Sequence, residues 1–465
     1  MSNTIDLLNL PAYRITRADS DDHDFHLYAE VRTPASACIH CYAVSLEGFG
    51  RRERHIKDLP MQGKRVGLYV DTRRYRCKTC RKTFYEPLPD LAAGRDMTAR
   101  LALWIGKQSL KRPFLTLAEE TGIDEKTVRN IFADFVIELE KQFQFETPKI
   151  MGIDEIHLTK PRGVITNIGN GTLLDLLPNR NKDTIIKYLA GLKNPDTIKI
   201  VAIDMWRPYR DAVELVLPHA MIVVDKFHVI KMANEAMEKA RKGLREDLTS
   251  KQRRGLMHDR FVLLKRKAEL TDEDYLLMDG WTKNYPLLGT AYDLKEAFYG
   301  VYEAEDANDA YQRYGAWRRS IPTELVDHFN DLVRAFENWQ PYILNYFECG
   351  VTNAYTESLN NLIRVFDRAG RGYSFNVLRA KIMFTEGAHK HKLARPKFDR
   401  KPTIQQPKSD PRIIEFYTDM DVGSAGYGTP EIRPEKPPNP PKMEAPKNYG
   451  VDIKKMLELM KNGEL

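Results

Sequence analysis

Four of the five cysteines fall into two pairs, Cys38-Ile39-His40-Cys41 and Cys77-Lys78-Thr79-Cys80. A two-residue spacing lets both sulfurs of a pair reach one ion from a tight knuckle. Four thiolates close a tetrahedral zinc site with no open position, so Zn2+ is expected in a structural role. The bland alternative is four buried free thiols. Cys349 is left over and reads as a buried or incidental thiol. A second set consists of carboxylates: Asp154, Asp204, and Glu357 within Thr352-Asn353-Ala354-Tyr355-Thr356-Glu357-Ser358-Leu359-Asn360-Asn361. If they converge, such hard oxygen ligands can hold two divalent cations, Mg2+ or Mn2+, for phosphoryl transfer. Acids at strand ends are otherwise often capping or solvated, so their placement decides. Asp225-Lys226-Phe227-His228 adds either a further metal ligand or a supporting Asp/His pair; a satisfied structural histidine is the other reading.

A third pattern runs from Leu117 to Ile131. Gly122 permits a sharp turn, Ile123 and Val128 pack two helices together, and Asp124 can cap the second helix. In such a helix-turn-helix Lys126, Thr127, Arg129 and Asn130 face the major groove of DNA. An ordinary helical hairpin is the alternative.

These residues need elements to hold them. Phe25, Leu27, Ala29 and Val31 alternate on one face of a strand, ahead of or packed on the cysteine module. The residues between the cysteine pairs are expected as strands or a loop facing a partner. From Lys149 onward, Ile150–Leu158 reads as a strand that Pro161-Arg162-Gly163 turns. Val164–Ile168 is a second strand, Asn170-Gly171 a hairpin turn, and Thr172–Pro178 a third strand. An amphipathic helix over 181–192 follows, then two short apolar runs, Thr197–Asp204 and Ala220–Val229, read as strands buried on both faces. This order matches a ribonuclease H-like α/β fold, in which the first strand is central and the fourth lies beside it. Asp154 and Asp204 then become neighbours, and a later helix can bring a third acid.

Residues 231–350 read as all-helical; Trp281, Trp317 and Trp339 there are core residues or, alternatively, stacking platforms for a flipped base. The expected organisation is an N-terminal segment with zinc-binding module over 1–92 and a helix-turn-helix domain over 93–147. The catalytic core occupies 148–230 and 351–395, the helical insertion 231–350, and a Pro-rich tail 396–465, with a short amphipathic piece near its end.

Composition agrees with several packed cores: 465 residues, 42 % hydrophobic and 10 % aromatic. It excludes a collagenous or disordered chain. No run of 18 uncharged apolar residues exists, which excludes a membrane-spanning helix and any membrane partner of that kind. The N-terminus lacks the basic and apolar regions of a secretion signal, and the odd cysteine count argues against a disulfide framework. A cytoplasmic protein is expected. The net charge is +7, yet residues 51–82 hold twelve Lys/Arg against Glu53, Asp58 and Asp71. Residues 239–267 hold eleven against Glu246, Asp247 and Asp259. Two basic blocks on an otherwise acidic chain favour a polyanion partner, and the second could track a phosphate backbone.

Together, the cysteine module, the helix-turn-helix, Gly152-Ile153-Asp154-Glu155, the run around Asp204, Val223–Val229 and Thr352–Phe375 resemble the ISL-three family of bacterial insertion-sequence transposases. The motifs occur in the family's order over residues 35–395. The resemblance implies a DDE transposase that cleaves element ends and transfers strands into target DNA, with divalent metal. It maps the family's acids onto Asp154, Asp204 and Glu357, and a Cys/Asp-x-x-His motif onto Asp225 and His228; Asp225 stays an alternative second acid. Double-stranded DNA is the implied partner, and joining two ends calls for a homodimer or larger assembly. A DNA-binding transcriptional regulator on an inactive nuclease-like scaffold would most simply lack one of the acids. A structure-specific nuclease would cut without joining.

Overall fold

The computed structural model describes residues 8–143, 146–244, 248–387 and 390. The Pro-rich tail and the amphipathic piece expected near its end lie outside the described residues.

The alternation around Leu27 forms β2 (Asp24–Val31), with Leu27, Ala29 and Val31 buried. It pairs antiparallel with β1 (Tyr13–Ser20) and parallel with β4 (Lys64–Cys77). β4 pairs antiparallel with β3 (Leu46–Met61) and with β5 (Thr83–Tyr85). The basic stretch between the cysteine pairs is therefore a long hairpin. Gln62 and Gly63, both with positive φ, make its two-residue turn. The hairpin serves two cores: Ile56, Val66, Leu68 and Val70 pack with β2, while Cys38, Cys77 and Phe84 cluster at the other end.

Three helices follow, α1 (Ala99–Ser109), α2 (Phe114–Thr121) and α3 (Glu125–Gln142). Gly122 ends α2 at φ +66°, a left-handed conformation that favours glycine, and Asp124 caps α3 by accepting from the Thr127 N–H. A buried acid ties this unit to the hairpin. Asp58 on β3 accepts from Thr98 Oγ1 at 2.6 Å and from Arg100 Nε at 2.9 Å.

A second sheet has the order β10-β9-β6-β7-β8. β6 (Ile150–His157), β7 (Pro161–Asn167) and β8 (Thr172–Leu177) form an antiparallel meander. After α4 (Lys182–Ala190), β9 (Ile200–Ile203) lies parallel to β6; after α5 (Arg207–Val216), β10 (Met221–Val224) lies parallel to β9. Two expectations are corrected here. Pro161-Arg162-Gly163 does not turn the chain but opens β7, with Pro161 at the first strand position, where proline is tolerated. Strand β10 ends at Val224, and Lys226-Phe227-His228 begins α6 (Lys226–Gly243), so His228 sits in a helix's first turn. Helix α6 crosses residue 231 without interruption and joins the core to the helical region beyond.

That region comprises α7 (Ser250–His258), α8 (Arg260–Leu264), α9 (Asp272–Asn284), α10 (Pro286–Tyr299), α11 (Ala307–Ser320), α12 (Val326–Leu344) and α13 (Tyr346–Cys349). Trp317 and Trp339 are buried, and Trp281 packs against the same core, so the tryptophans serve packing. Helices α14 (Ala354–Gly370) and α15 (Phe375–Glu386) return to the sheet.

The sheet divides the apolar side chains into two clusters. Met151 and Ile153 of β6 point into one, shared with α4–α6 and the helical region. Ile156 points the other way, into a cluster shared with α14, α15 and the helix-turn-helix residues Leu117, Ile131 and Phe132. Lys381 of α15 fastens this second joint. Fully buried, it donates to the Ser109 carbonyl and, at 2.9 Å, to that of Arg112, with the rings of Phe114 and Tyr373 each 4.6 Å away.

Candidate active site and zinc centre

At the cysteine end of the long hairpin, Cys38 Sγ lies 3.7 Å from Cys80 Sγ, and Cys41 Sγ 3.6 Å from Cys77 Sγ. All four sulfurs lie within 4.8 Å of one another. A tetrahedron of Zn–S bonds of about 2.3 Å has edges of about 3.8 Å, so the set fits zinc. The separations are far too long for disulfides. Backbone N–H groups of His40 and Cys80 point at the Cys38 and Cys77 sulfurs, as in a metal knuckle.

At the carboxyl ends of the parallel strands, Asp154, Asp204 and His228 offer ligand atoms that all lie within 4.8 Å of one another. Asp154 stands on the central strand and Asp204 directly follows the neighbouring one, so the sheet itself makes them adjacent. His228 Nδ1 is 3.0 Å from Asp204 Oδ1 and 3.4 Å from Asp225 Oδ2. Burial, and next the charge of Asp204, push the Asp154 carboxyl well above the usual range. Burial opposes a charge on His228, but Asp204 and Asp225 outweigh it and raise the imidazole to about 10. One buried carboxylate and one half-buried one this close, with no lysine or arginine paired to either among the described residues, suit divalent cations.

Asp225 is placed differently from Asp204. It is almost fully buried and accepts the Asn353 N–H at 3.2 Å. Asp204 instead lines a cavity of about 250 Å3 together with Glu155, Trp206 and His228. Arg180 pairs with Glu155 and lies 4.7 Å from the Trp206 ring at its edge.

Glu357 is not within the tight group. It is half-exposed on α14, and its carboxylate forms no hydrogen bond or ion pair with another described residue. Its helix, however, is pinned to the acids on both sides of it. Asn353 meets Asp225, and Asn360 Nδ2 donates to Asp154 Oδ2 at 2.7 Å. Positions 353, 357 and 360 are spaced by four and three, so they share one face of the helix. Asn353 and Asn360 are functional positions that the sequence reading does not single out, although that spacing around Glu357 is a usable signal.

The close approach of α14 depends on Gly152. A Cβ there would meet Asn353 Oδ1 and Thr166 Oγ1 at 2.5 Å and Thr356 Oγ1 at 2.7 Å. The Thr166 and Thr356 hydroxyls are themselves bonded at 2.7 Å. Gly152→Ala is expected to cost about 1–3 kcal/mol through overpacking and to displace α14 from Asp154. Cleavage should fall while DNA affinity stays within about twofold; a variant with unchanged melting and activity contradicts this tight fit.

On α3, Lys126, Arg129 and Asn130 are exposed. Thr127 is partly committed to the cap, its hydroxyl donating to Asp124 Oδ2 at 2.6 Å. Arg129 is held by Glu125 at 2.6 Å and lies 5.8 Å from the Phe114 ring. Cys349 donates to the Asn345 carbonyl and joins neither metal set.

A four-cysteine ribbon and a helix-turn-helix, followed by a sheet whose adjacent strand ends bring two acids together, define a DDE-type transposase. Comparison with known proteins agrees. Residues 151–382 match the ISL3-type DDE transposase family model; residues 34–80 match the zinc-finger of transposase IS204/IS1001/IS1096/IS1165; residues 86–136 match the helix-turn-helix domain of transposase family ISL3. The chain belongs to the ISL3 family of insertion-sequence transposases. It is 24 % identical over 372 residues to the transposase for insertion sequence element IS1001 of Bordetella parapertussis, covering 77 % of this chain and 91 % of that one. It is 26 % identical over 315 residues to the transposase for insertion sequence element IS1557 of Mycobacterium tuberculosis, covering 60 % and 69 %. Among the described residues no helix is long and apolar enough to cross a membrane.

Proposed function

We propose that Asp154, Asp204 and Glu357 are the metal-binding acids of a ribonuclease H-like core that cleaves the ends of its element and joins them to target DNA. The observation that carries this reading is the meeting of Asp154 and Asp204 at adjacent strand ends, with Asp154 held by the helix that bears Glu357. The strand order, with β6 central and β9 beside it, supports the ribonuclease H-like assignment. Bound Mg2+ or Mn2+ supplies activation of the attacking oxygen and stabilisation of the leaving one. The chain's own residues do the positioning. Asn360 orients the Asp154 carboxylate, and the N–H of Glu155 holds its other oxygen at 2.6 Å. His228 steadies Asp204 from behind, with Asp225 and the Asn353 N–H fixing the imidazole in turn.

DNA ends are read by α3 through Lys126, Thr127, Arg129 and Asn130, with the basic hairpin adding phosphate contacts. Two ends must be handled together, so the working form is a homodimer or larger. Asp204, open to the cavity, is the second acid; Asp225, enclosed, supports it. The test is metal-dependent cleavage and joining of DNA carrying the inverted repeats that bracket the coding region. Asp204→Asn should abolish both, and Asp225→Asn should leave measurable activity. The reverse order moves the second ligand to Asp225, and cutting without joining replaces transposition by nuclease action.

A further inference from the structure

Helix α6 carries the active site's chemistry into the helical region along one face. Lys231 and Glu235 line the catalytic cavity beside His228. Glu238 and Lys242, the next positions on that face, line a second cavity, of about 700 Å3, between α6 and α7. At 1.5 Å per residue, Lys242 stands about 21 Å along the helix from His228, the length of about six base pairs.

The second cavity is basic in an unusual way. Three cations of the block outside the cavity are paired: Lys239 with Asp331, Lys265 with Asp274, Arg266 with Glu303. In the cavity Arg241 is paired with Glu238. Lys242, Arg253, Arg254 and Arg260 also line it, and none of the four has a carboxylate within ion-pair distance among the described residues. The surrounding block stays strongly positive even with Glu246 and Asp247 counted, eleven cations against three acids. Glu238 also lines the cavity and its charge reaches Lys242 and Arg260, but one acid against five cations leaves an excess of positive charge around a concave surface, which an anion would relieve.

Its side of the molecule matters as much as its charge. The helix-turn-helix packs with the cluster on one face of the sheet, and this region with the cluster on the other; the acids lie at the strand ends between them. A duplex read by α3 on one side of the sheet and cut at the strand ends would have its far side toward the helical region that holds the cavity.

We propose that the cavity between α6 and α7 binds the phosphodiester backbone of the DNA that flanks the element, beyond the scissile bond. This rests on the assignment of the catalytic site to DNA cleavage, but its test reads binding alone. Two duplexes are compared by fluorescence anisotropy with the full chain and no added divalent metal. One carries the terminal inverted repeat and stops at its outer edge; the other extends about 15 base pairs into flanking DNA, enough to pass the cavity at 3.4 Å per base pair.

Wild type should bind the extended duplex more tightly. The double variant Arg254→Ala/Arg260→Ala, the first exposed and the second half-buried, should lose roughly tenfold on the extended duplex, with its salt slope lowered by about two, and lose nothing on the short one. Lys242→Ala should do the same with a slope change of about one. Lys126→Ala, on the reading helix, should weaken both duplexes alike. If the extension adds no affinity to wild type, or the cavity variants weaken both duplexes equally or neither, the proposal is overturned. Failure of the catalytic assignment shows separately, as cleavage that survives loss of an acid.

Discussion

Asp154→Asn should remove cleavage and strand transfer while leaving the protein folded and able to bind its DNA ends. The substitution keeps the shape and leaves an oxygen to accept from Asn360, but it loses the acceptor for the Glu155 N–H and takes one charged ligand from the group with Asp204. Lewis-acid assistance is worth several kcal/mol, and losing about 4 kcal/mol of it lowers the rate about a thousandfold. Stability should change little. In the metal-free protein burial and the Asp204 charge disfavour the ionised Asp154 carboxylate, so a neutral side chain there removes a strained charge while giving up the Glu155 N–H acceptor. Thermal melting without divalent metal should therefore show the variant close to wild type. Activity above about a tenth of wild type, a loss of under 1.4 kcal/mol, would remove Asp154 from the metal-binding acids.

The second large effect is expected at the ribbon. Zinc bound by four thiolates contributes folding free energy on the order of 10 kcal/mol, more than the small cluster of Cys38, Cys77 and Phe84 can supply by packing. Purified protein should hold about one zinc per chain, and Cys77→Ser should lose it. The loss should be local. The half of the hairpin built on Ile56, Val66 and Leu68 has its own core, and Asp58 anchors it to α1. Hydrogen exchange should thus speed at the cysteine end of β3 and β4 and stay slow near Ile56. Uniform exchange along both strands, or full protection without zinc, contradicts this division.

Much of this is legible in the sequence because the relevant signals are local. Two-residue cysteine spacing, Gly122 before Asp124, and apolar runs ending in acids each report a geometry set within a few residues. Strand β2 is visible from alternation, but β1 is not: Tyr13–Ser20 is mostly polar and exposed, and its pairing depends on a neighbour rather than on its own pattern. The passage from Val224 into α6 escapes detection because a short apolar run looks the same in a buried strand and in a helix's first turn. Asn360 is invisible for a different reason. Its importance comes from a bond across 206 positions to Asp154, which no local pattern reports. The same holds for Lys381, whose side-chain nitrogen is buried against another domain's carbonyls.

That last contact has a wider meaning. Leu117, Ile131 and Phe132 of the helix-turn-helix share one apolar cluster with Ile156 of the sheet and Leu359 of α14, and Lys381 bolts the two together. A packed joint, rather than a hinge, links the proposed reading helix to the sheet that carries the proposed metal-binding acids. On the proposed assignment the chain is a ruler: the cut should fall at a set number of base pairs from the recognised letters, and on a set side of the duplex. One inserted base pair between them moves the scissile bond by about 3.4 Å and roughly 35° of helical phase. An enzyme with a flexible joint could follow that shift. This one must cut a different bond or miss.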